Sequence, residues 1–196
     1  MDENKINFAW GGCGNLINHL LKCDQYFSVI KKYYKLINPK ITWTNQEWAI
    51  RQSIGKNLQH GITGNINLAW ENSLDTSFHY IIKNIAINHL DGPMIDRVKG
   101  VIEFNNETEQ AIRSINGYYS LDCLLKDNNT LFDFCALLNP NLNQDNVNEL
   151  FKLWKEKTQD YFELHSEQVL RYYQELGIDY SLKNLYNILY ENTYTR

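Results

Sequence analysis

Three glycines within four residues are the feature that most limits how this chain can fold. Gly11, Gly12 and Gly14 follow a β-prone run at residues 6–10 and precede an apolar-periodic stretch at residues 16–21. Glycine tolerates positive φ and a close approach of the backbone, so this spacing indicates a tight turn. The order of the three segments predicts a strand, a glycine loop and a helix.

The glycine loop has two interpretations, a phosphate-binding loop and a tight structural turn. A loop that opens a helix directs backbone N–H groups and the positive end of the helix dipole at one point, where an anion binds. The Walker pattern GxxxxGK[ST] is missing, because no Lys, Ser or Thr stands at the end of the loop. The pattern GxGxxG is missing too, because Ile17 stands where its third glycine would be. Cys13 lies in the same loop, where the helix dipole lowers a thiol pKa and favours a nucleophile, and a small buried thiol is the alternative.

The middle of the chain predicts both strands and helices. Residues 66–70 and 98–104 have the composition of strands, and residues 74–90 carry apolar side chains at helical spacing. Thr44 and Glu47 have the spacing of a capping box, with Thr44 as the N-cap, which predicts a helix that begins there.

The C-terminal third, from about residue 131, predicts helix almost throughout. A short helix covers residues 131–138, and a long helix with an apolar stripe runs from 143 to 176. His165 lies on that stripe and is interpreted as a core histidine. Strands separated by helices favour an α/β domain, helix-rich and three-layered, with a small and mainly parallel sheet of three to four strands, and a mostly α fold is the alternative. Residues 1–196 are predicted to form a single domain.

Charge and hydropathy argue against several functions. The net charge is −4 and only five residues are arginine, unlike the basic surface of a nucleic-acid-binding protein. No apolar run reaches the roughly 18 residues that a membrane span needs, and the first residues lack the basic and apolar regions of a signal peptide. The sequence therefore predicts a cytoplasmic protein that contacts neither nucleic acid nor membrane and keeps its four cysteines reduced.

The order of these segments resembles a shortened P-loop sulfotransferase. In that family the first strand ends in a loop that holds the 5′ end of 3′-phosphoadenosine-5′-phosphosulfate (PAPS), and residues 6–20 occupy that place. A later strand and helix of the family hold the 3′ phosphate, and residues 101–115 are similar to that segment. Residues 118–138 resemble the family's Tyr-x-x-Leu stretch and the helix that follows it.

The resemblance implies a P-loop-like domain with a nucleotide site and a transferase activity. The bound nucleotide would be PAPS or its product 3′-phosphoadenosine-5′-phosphate (PAP), and a sulfuryl group would pass to an unidentified acceptor. The catalytic base would be His60 or His89. The cofactor-binding residues would be Gly11, Gly12, Cys13, Gly14 and Asn15 at the 5′ phosphates, with Arg113 and Ser114 at the 3′ phosphate.

Two other functions stay open. A catalytically inactive binding or assembly protein, such as a homodimer, would use an aromatic helix face. That face would consist of Trp154, Tyr161, Phe162, Tyr172 and Tyr173. A hydrolase or transferase that depends on the Cys13 thiolate is the other alternative. No metal site is expected, because Cys13, His19 and Cys23 lack the C-x₂₋₄-C spacing of a structural zinc site.

Overall fold

A computed structural model describes residues 4–8, 14–41, 43–54, 58, 62–63, 66–69, 80–83, 117–120, 125 and 128–175. The helices in these residues are α1 (Gly14–Leu21), α2 (Cys23–Leu36), α3 (Trp43–Ile54), α4 (Asn128–Leu138) and α5 (Gln144–Glu175). The strands are β1 (Asn4–Phe8), β2 (Ile62–Thr63), β3 (Ile66–Ala69), β4 (Tyr80–Lys83) and β5 (Gly117–Ser120).

The described core is built by helices packing on helices. Helix α1 is buried along almost its whole length, as expected for a helix that is enclosed on every side. Among the described helices, α2 and α5 have the most extensive contact, and α1 and α4 also pack against α5. The largest fully buried side chains of this core include Trp43, Tyr33, Tyr34, Tyr161, Phe151 and Phe162. Each such side chain contributes about 1.5–3 kcal/mol by leaving water.

The strands form one sheet in the order β2-β3-β1-β4-β5. Strand β1 is central and runs parallel to β3 on one side and to β4 on the other, with Ile6 opposite Leu68 and Tyr80. Strand β5 is parallel to β4, and β2 is antiparallel to β3. The carboxyl ends of β1, β3 and β4 therefore lie along the same edge of the sheet.

The prediction of a three-layer α/β domain with three to four strands is wrong for the described part of the chain, which is mostly α. In such a domain the helices cover both faces of the sheet and share a core with it. Here the extensive contacts between described elements are helix with helix or strand with strand. The part of the sheet that the structure describes also has five strands, each two to five residues long.

Several local predictions can be compared with the structure. The strand predicted at 66–70 and the helices predicted at 131–138 and 143–176 are confirmed as β3, α4 and α5. The helix predicted over 74–90 is wrong, because residues 80–83 form β4. A short central strand, with a neighbouring strand on each side, need not alternate apolar and polar residues. The spacing of its apolar residues therefore does not distinguish a strand from a helix. The predicted strand at 98–104 lies outside the described residues.

Helix α3 begins at Trp43, so Thr44 lies inside its first turn and is not the N-cap. A glutamine fixes the connection from α2 into α3. The Gln46 side chain accepts a hydrogen bond from the Asn38 backbone N–H at 2.7 Å and donates to the Asn38 and Ile41 carbonyls at 2.9 and 3.3 Å. These contacts hold α3 against α2, which positions the polar face of α3 beside α1.

Helix α5 is long and changes direction at His165, whose φ of −128° and ψ of 16° are not helical. The His165 ring lies 4.4 Å from the Tyr161 ring, and its Nε2 is 3.1 Å from the Pro39 carbonyl oxygen. His165 is half-buried in this contact.

Within the described residues, no helix combines the length and apolar character that crossing a membrane requires.

Candidate functional site: a polar cluster at the start of α1

The structure describes two of the predicted nucleotide-binding residues, Gly14 and Asn15, which form the start of α1. Strand β1 ends at Phe8, so residues 9–13 connect the central strand to this helix. The other predicted site residues lie outside the described residues. They are Gly11, Gly12, Cys13, His60, His89, Arg113 and Ser114.

The Asn15 side chain joins two residues of α3. Its Nδ2 donates a hydrogen bond to Oε2 of Glu47 at 3.0 Å. Its Oδ1 accepts a hydrogen bond from Nη1 of Arg51 at 3.3 Å. The amide therefore lies between a carboxylate and a guanidinium, and the three residues form what we call the Asn15–Glu47–Arg51 cluster.

Glu47 is buried, with 6% of its surface exposed. Oε1 of its carboxylate accepts hydrogen bonds from the Tyr33 hydroxyl at 2.8 Å and from Nε1 of Trp43 at 3.1 Å. Together with Asn15, three neutral donors surround this carboxylate. A buried carboxylate is stable only when its oxygens are hydrogen-bonded in this way, because the cost of removing a charge from water is large.

Arg51 is the cation nearest to the start of α1 among the described contacts. It is half-buried, and its Nε donates to the Glu47 backbone carbonyl at 3.3 Å, one helical turn earlier. A guanidinium has five N–H donors. The contacts with Glu47 and Asn15 use two of them, which leaves three donors for a ligand within the part of the chain that the structure describes.

His19 lies behind the cluster, one turn along α1, and is 1% exposed. Its Nδ1 is 2.8 Å from the Tyr34 hydroxyl, and the Tyr33 and Tyr34 rings meet its ring edge to face. Burial lowers the pKa of His19 from 6.5 to about 4, against the opposing effect of the Glu47 charge. His19 is therefore neutral at pH 7 and serves the packing of α1 against α2.

Tyr33 keeps its proton at neutral pH. Burial, with the Glu47 charge as the second cause, raises the pKa of Tyr33 well above its ordinary value. The hydroxyl therefore remains a donor to Glu47 at neutral pH.

The aromatic residues proposed as an interface belong to the core where their side chains are described. Trp154, Tyr161 and Phe162 have between 0% and 5% of their surface exposed. The side chains of Tyr172 and Tyr173 are not among those that the structure describes. The described part of α5 therefore offers no aromatic face to a partner, and the homodimer stays a prediction.

Two of the cysteines are buried free thiols. Burial raises the pKa of Cys23 to about 12 and also raises the pKa of Cys135. Neither thiol is a thiolate at neutral pH, so neither is a nucleophile. Among the described residues, no three histidine, cysteine, aspartate or glutamate side chains are grouped so that they could hold a metal ion.

Sequence reasoning missed Arg51. Glu47 and Arg51 are four residues apart, which places them on one face of the helix that was predicted there. That spacing could have identified the pair, but not its contact with Asn15, which is 36 residues away. The contact depends on how α3 packs near α1, and no local pattern encodes that packing.

No family model matches this sequence, and no curated protein or solved structure matches it either.

Proposed function

We propose that this chain binds a phosphate-bearing nucleotide where β1 leads into α1, with the guanidinium of Arg51 contacting a phosphate. The observation that carries the proposal is the hydrogen bond from Arg51 to Asn15 in the first turn of α1. The chain contains only five arginines, and this contact brings one of them to the end of the glycine-rich segment.

Two physical effects at this point favour an anion. The first backbone N–H groups of a helix have no partner inside the helix, and the helix dipole places partial positive charge there. Arg51 adds a full positive charge with a planar set of donors, a geometry that suits phosphate. The negative charge of Glu47 opposes an anion, but its oxygens are buried and already accept three hydrogen bonds.

The resemblance to P-loop sulfotransferases makes PAP the first nucleotide to test. The positive charge and planar donors of Arg51, together with the helix N-terminus of α1, are of the kind that binds a phosphate group and so support this choice. Arg113 and Ser114 are proposed for the second phosphate on the resemblance alone. When bound, PAPS supplies an activated sulfuryl group, and transfer of that group to an acceptor is the finer part of the proposal.

Calorimetric titration with PAP tests the proposal. We expect binding to the wild-type protein and a dissociation constant about 10- to 100-fold higher in Arg51→Gln, because a hydrogen bond to a charged group contributes about 1.5–3 kcal/mol. Arg171→Gln is the matched control, since Arg171 is an exposed arginine of α5. Absence of heat with millimolar PAP, or equal affinities in all three proteins, would contradict the proposal.

A second measurement separates transfer from binding. With PAPS and a phenolic acceptor, sulfuryl transfer releases PAP, which chromatography quantifies. We expect Arg51→Gln to release PAP more slowly than the wild-type protein because less donor is bound. Binding of PAP without any transfer would limit the function to nucleotide binding.

A further inference from the structure

From the hydrogen bonds of the cluster we infer that Glu47 is a positioning residue: its buried carboxylate orients the Asn15 amide, and the oriented amide holds Arg51 in place to receive a phosphate. This inference rests on the proposed nucleotide binding. It assigns to a buried acidic residue a role in binding an anion, which is the opposite of the effect that its charge alone would have.

The first step of the argument is that Glu47 fixes which end of the Asn15 amide faces which neighbour. A carboxylate only accepts hydrogen bonds, whereas an amide has one accepting and one donating end. The carboxylate must therefore face Nδ2 of Asn15, as the 3.0 Å contact with Oε2 shows. The opposite end, Oδ1, is then directed at Arg51.

The second step is that Glu47 is itself held firmly. Oε1 accepts from the Tyr33 hydroxyl of α2 and from the Trp43 indole of its own helix, and both donors are buried. Two donors from different helices leave the carboxylate little freedom to rotate. The orientation of Asn15 is therefore determined by the helical core and not by solvent.

The third step concerns what a neutral amide does at this position. In Glu47→Gln the glutamine carbonyl oxygen keeps the Tyr33 and Trp43 donors, so its NH₂ group takes the place of Oε2. That NH₂ group repels Nδ2 of Asn15, and the Asn15 amide reverses to present Oδ1 to residue 47. Nδ2 of Asn15 then faces Nη1 of Arg51, donor against donor, and the guanidinium leaves its place.

This sequence of contacts predicts an effect of unexpected sign. Removing a negative charge close to an anion site strengthens anion binding if charge is the only factor. Positioning predicts the reverse, because Glu47→Gln displaces the cation. The two explanations therefore differ in direction and not only in size.

Calorimetry with PAP on four proteins tests the inference: wild type, Glu47→Gln, Arg51→Gln and the double variant. We expect Glu47→Gln to raise the dissociation constant about tenfold, and the double variant to bind no more weakly than Arg51→Gln, since coupled residues are not additive. Glu149→Gln is the control, because Glu149 is an exposed carboxylate that pairs with Lys31. Unchanged or tighter binding by folded Glu47→Gln would overturn the inference.

Two further measurements keep the inference testable. Asn15→Ala removes the connecting amide and keeps the Tyr33 and Trp43 donors of Glu47, so we expect it to weaken PAP binding as Glu47→Gln does. In the protein without nucleotide, the NMR signals of the Asn15 NH₂ group and the Arg51 Nε–H group should move in Glu47→Gln and stay in Glu149→Gln. Failure of PAP to bind the wild-type protein would defeat the proposed function alone, whereas unmoved signals would defeat the positioning role.

Discussion

His19 makes the stability of this protein depend on pH. Its ring is buried between Tyr33 and Tyr34 and titrates at about 4, below the ordinary value of 6.5. Between these two values the unfolded chain binds a proton that the folded protein does not bind. Acidification therefore favours the unfolded state, and the free energy of unfolding falls as the pH drops from 6.5 towards 4.

Urea denaturation of the wild-type protein and His19→Gln at pH 7 and pH 5 measures this effect. The stability of the wild type should fall by roughly 2 kcal/mol more than that of the variant over this interval, because of the lowered pKa. His165→Gln is the control, since His165 is a histidine of α5 that is only half-buried. Parallel losses of stability in wild type and His19→Gln would show that the ring is not buried as described.

At the scale of single residues, the sequence predicted some of the candidate site. The glycine spacing predicted a helix that follows the loop, and α1 does begin at Gly14, with Asn15 in its first turn. The sequence did not predict Glu47 as a buried hydrogen-bond acceptor, because the spacing of Thr44 and Glu47 already matches a capping box. Nor did it predict Arg51, whose partner is distant in sequence. Both roles depend on tertiary contacts that hydrophobic periodicity does not contain.

Helix α5 begins with an N-cap that a carboxylate of α2 supports. The Asn143 side chain accepts a hydrogen bond from the Asn146 backbone N–H at 3.1 Å, the geometry of an N-cap. Asp24 of α2 adds to it by accepting from the Asn143 backbone N–H at 3.0 Å and from the Asn146 side chain at 2.9 Å. The start of α5 is therefore attached to α2 by a carboxylate that also matches the helix dipole.

Substitution of the cap tests this arrangement. We expect Asn143→Ala to lower the free energy of unfolding by about 1 kcal/mol, because it removes the N-cap acceptor. Asn141→Ala is a neighbouring exposed asparagine whose described hydrogen bond uses only its backbone N–H, and we expect a change within about 0.5 kcal/mol. Chemical denaturation compares the two, and a cap variant as stable as its control would refute the assignment.

The elements also show where sequence patterns become ambiguous. Helix α2 was not predicted, although its buried residues Ile30, Tyr33 and Tyr34 recur at helical spacing. Its aromatic and β-branched residues have a preference for strands, and tertiary packing overrides that preference. In strand β4 the apolar residues have helical spacing, but pairing with its neighbours β1 and β5 makes the segment a strand.

For the whole molecule, the described helices form a core of their own, and the polar cluster lies at its edge. Helix α1 connects the helical core to the Asn15–Glu47–Arg51 cluster. Its apolar side chains enter the core, while Asn15, at its start, contacts Glu47 and Arg51. The chain has a net charge of −4 and only five arginines. The fold brings one of them, Arg51, into contact with Asn15 at the start of α1.

We propose that Arg51, which donates a hydrogen bond to the Asn15 side chain, contacts a phosphate bound at the start of α1. NMR spectra of the wild-type protein, recorded during a titration with PAP, test it most directly. We predict that the Arg51 Nε–H and Asn15 NH₂ signals shift until the site is saturated, while the Arg171 Nε–H signal keeps its position. Saturation of the protein with PAP while the Arg51 and Asn15 signals stay unchanged would contradict the account.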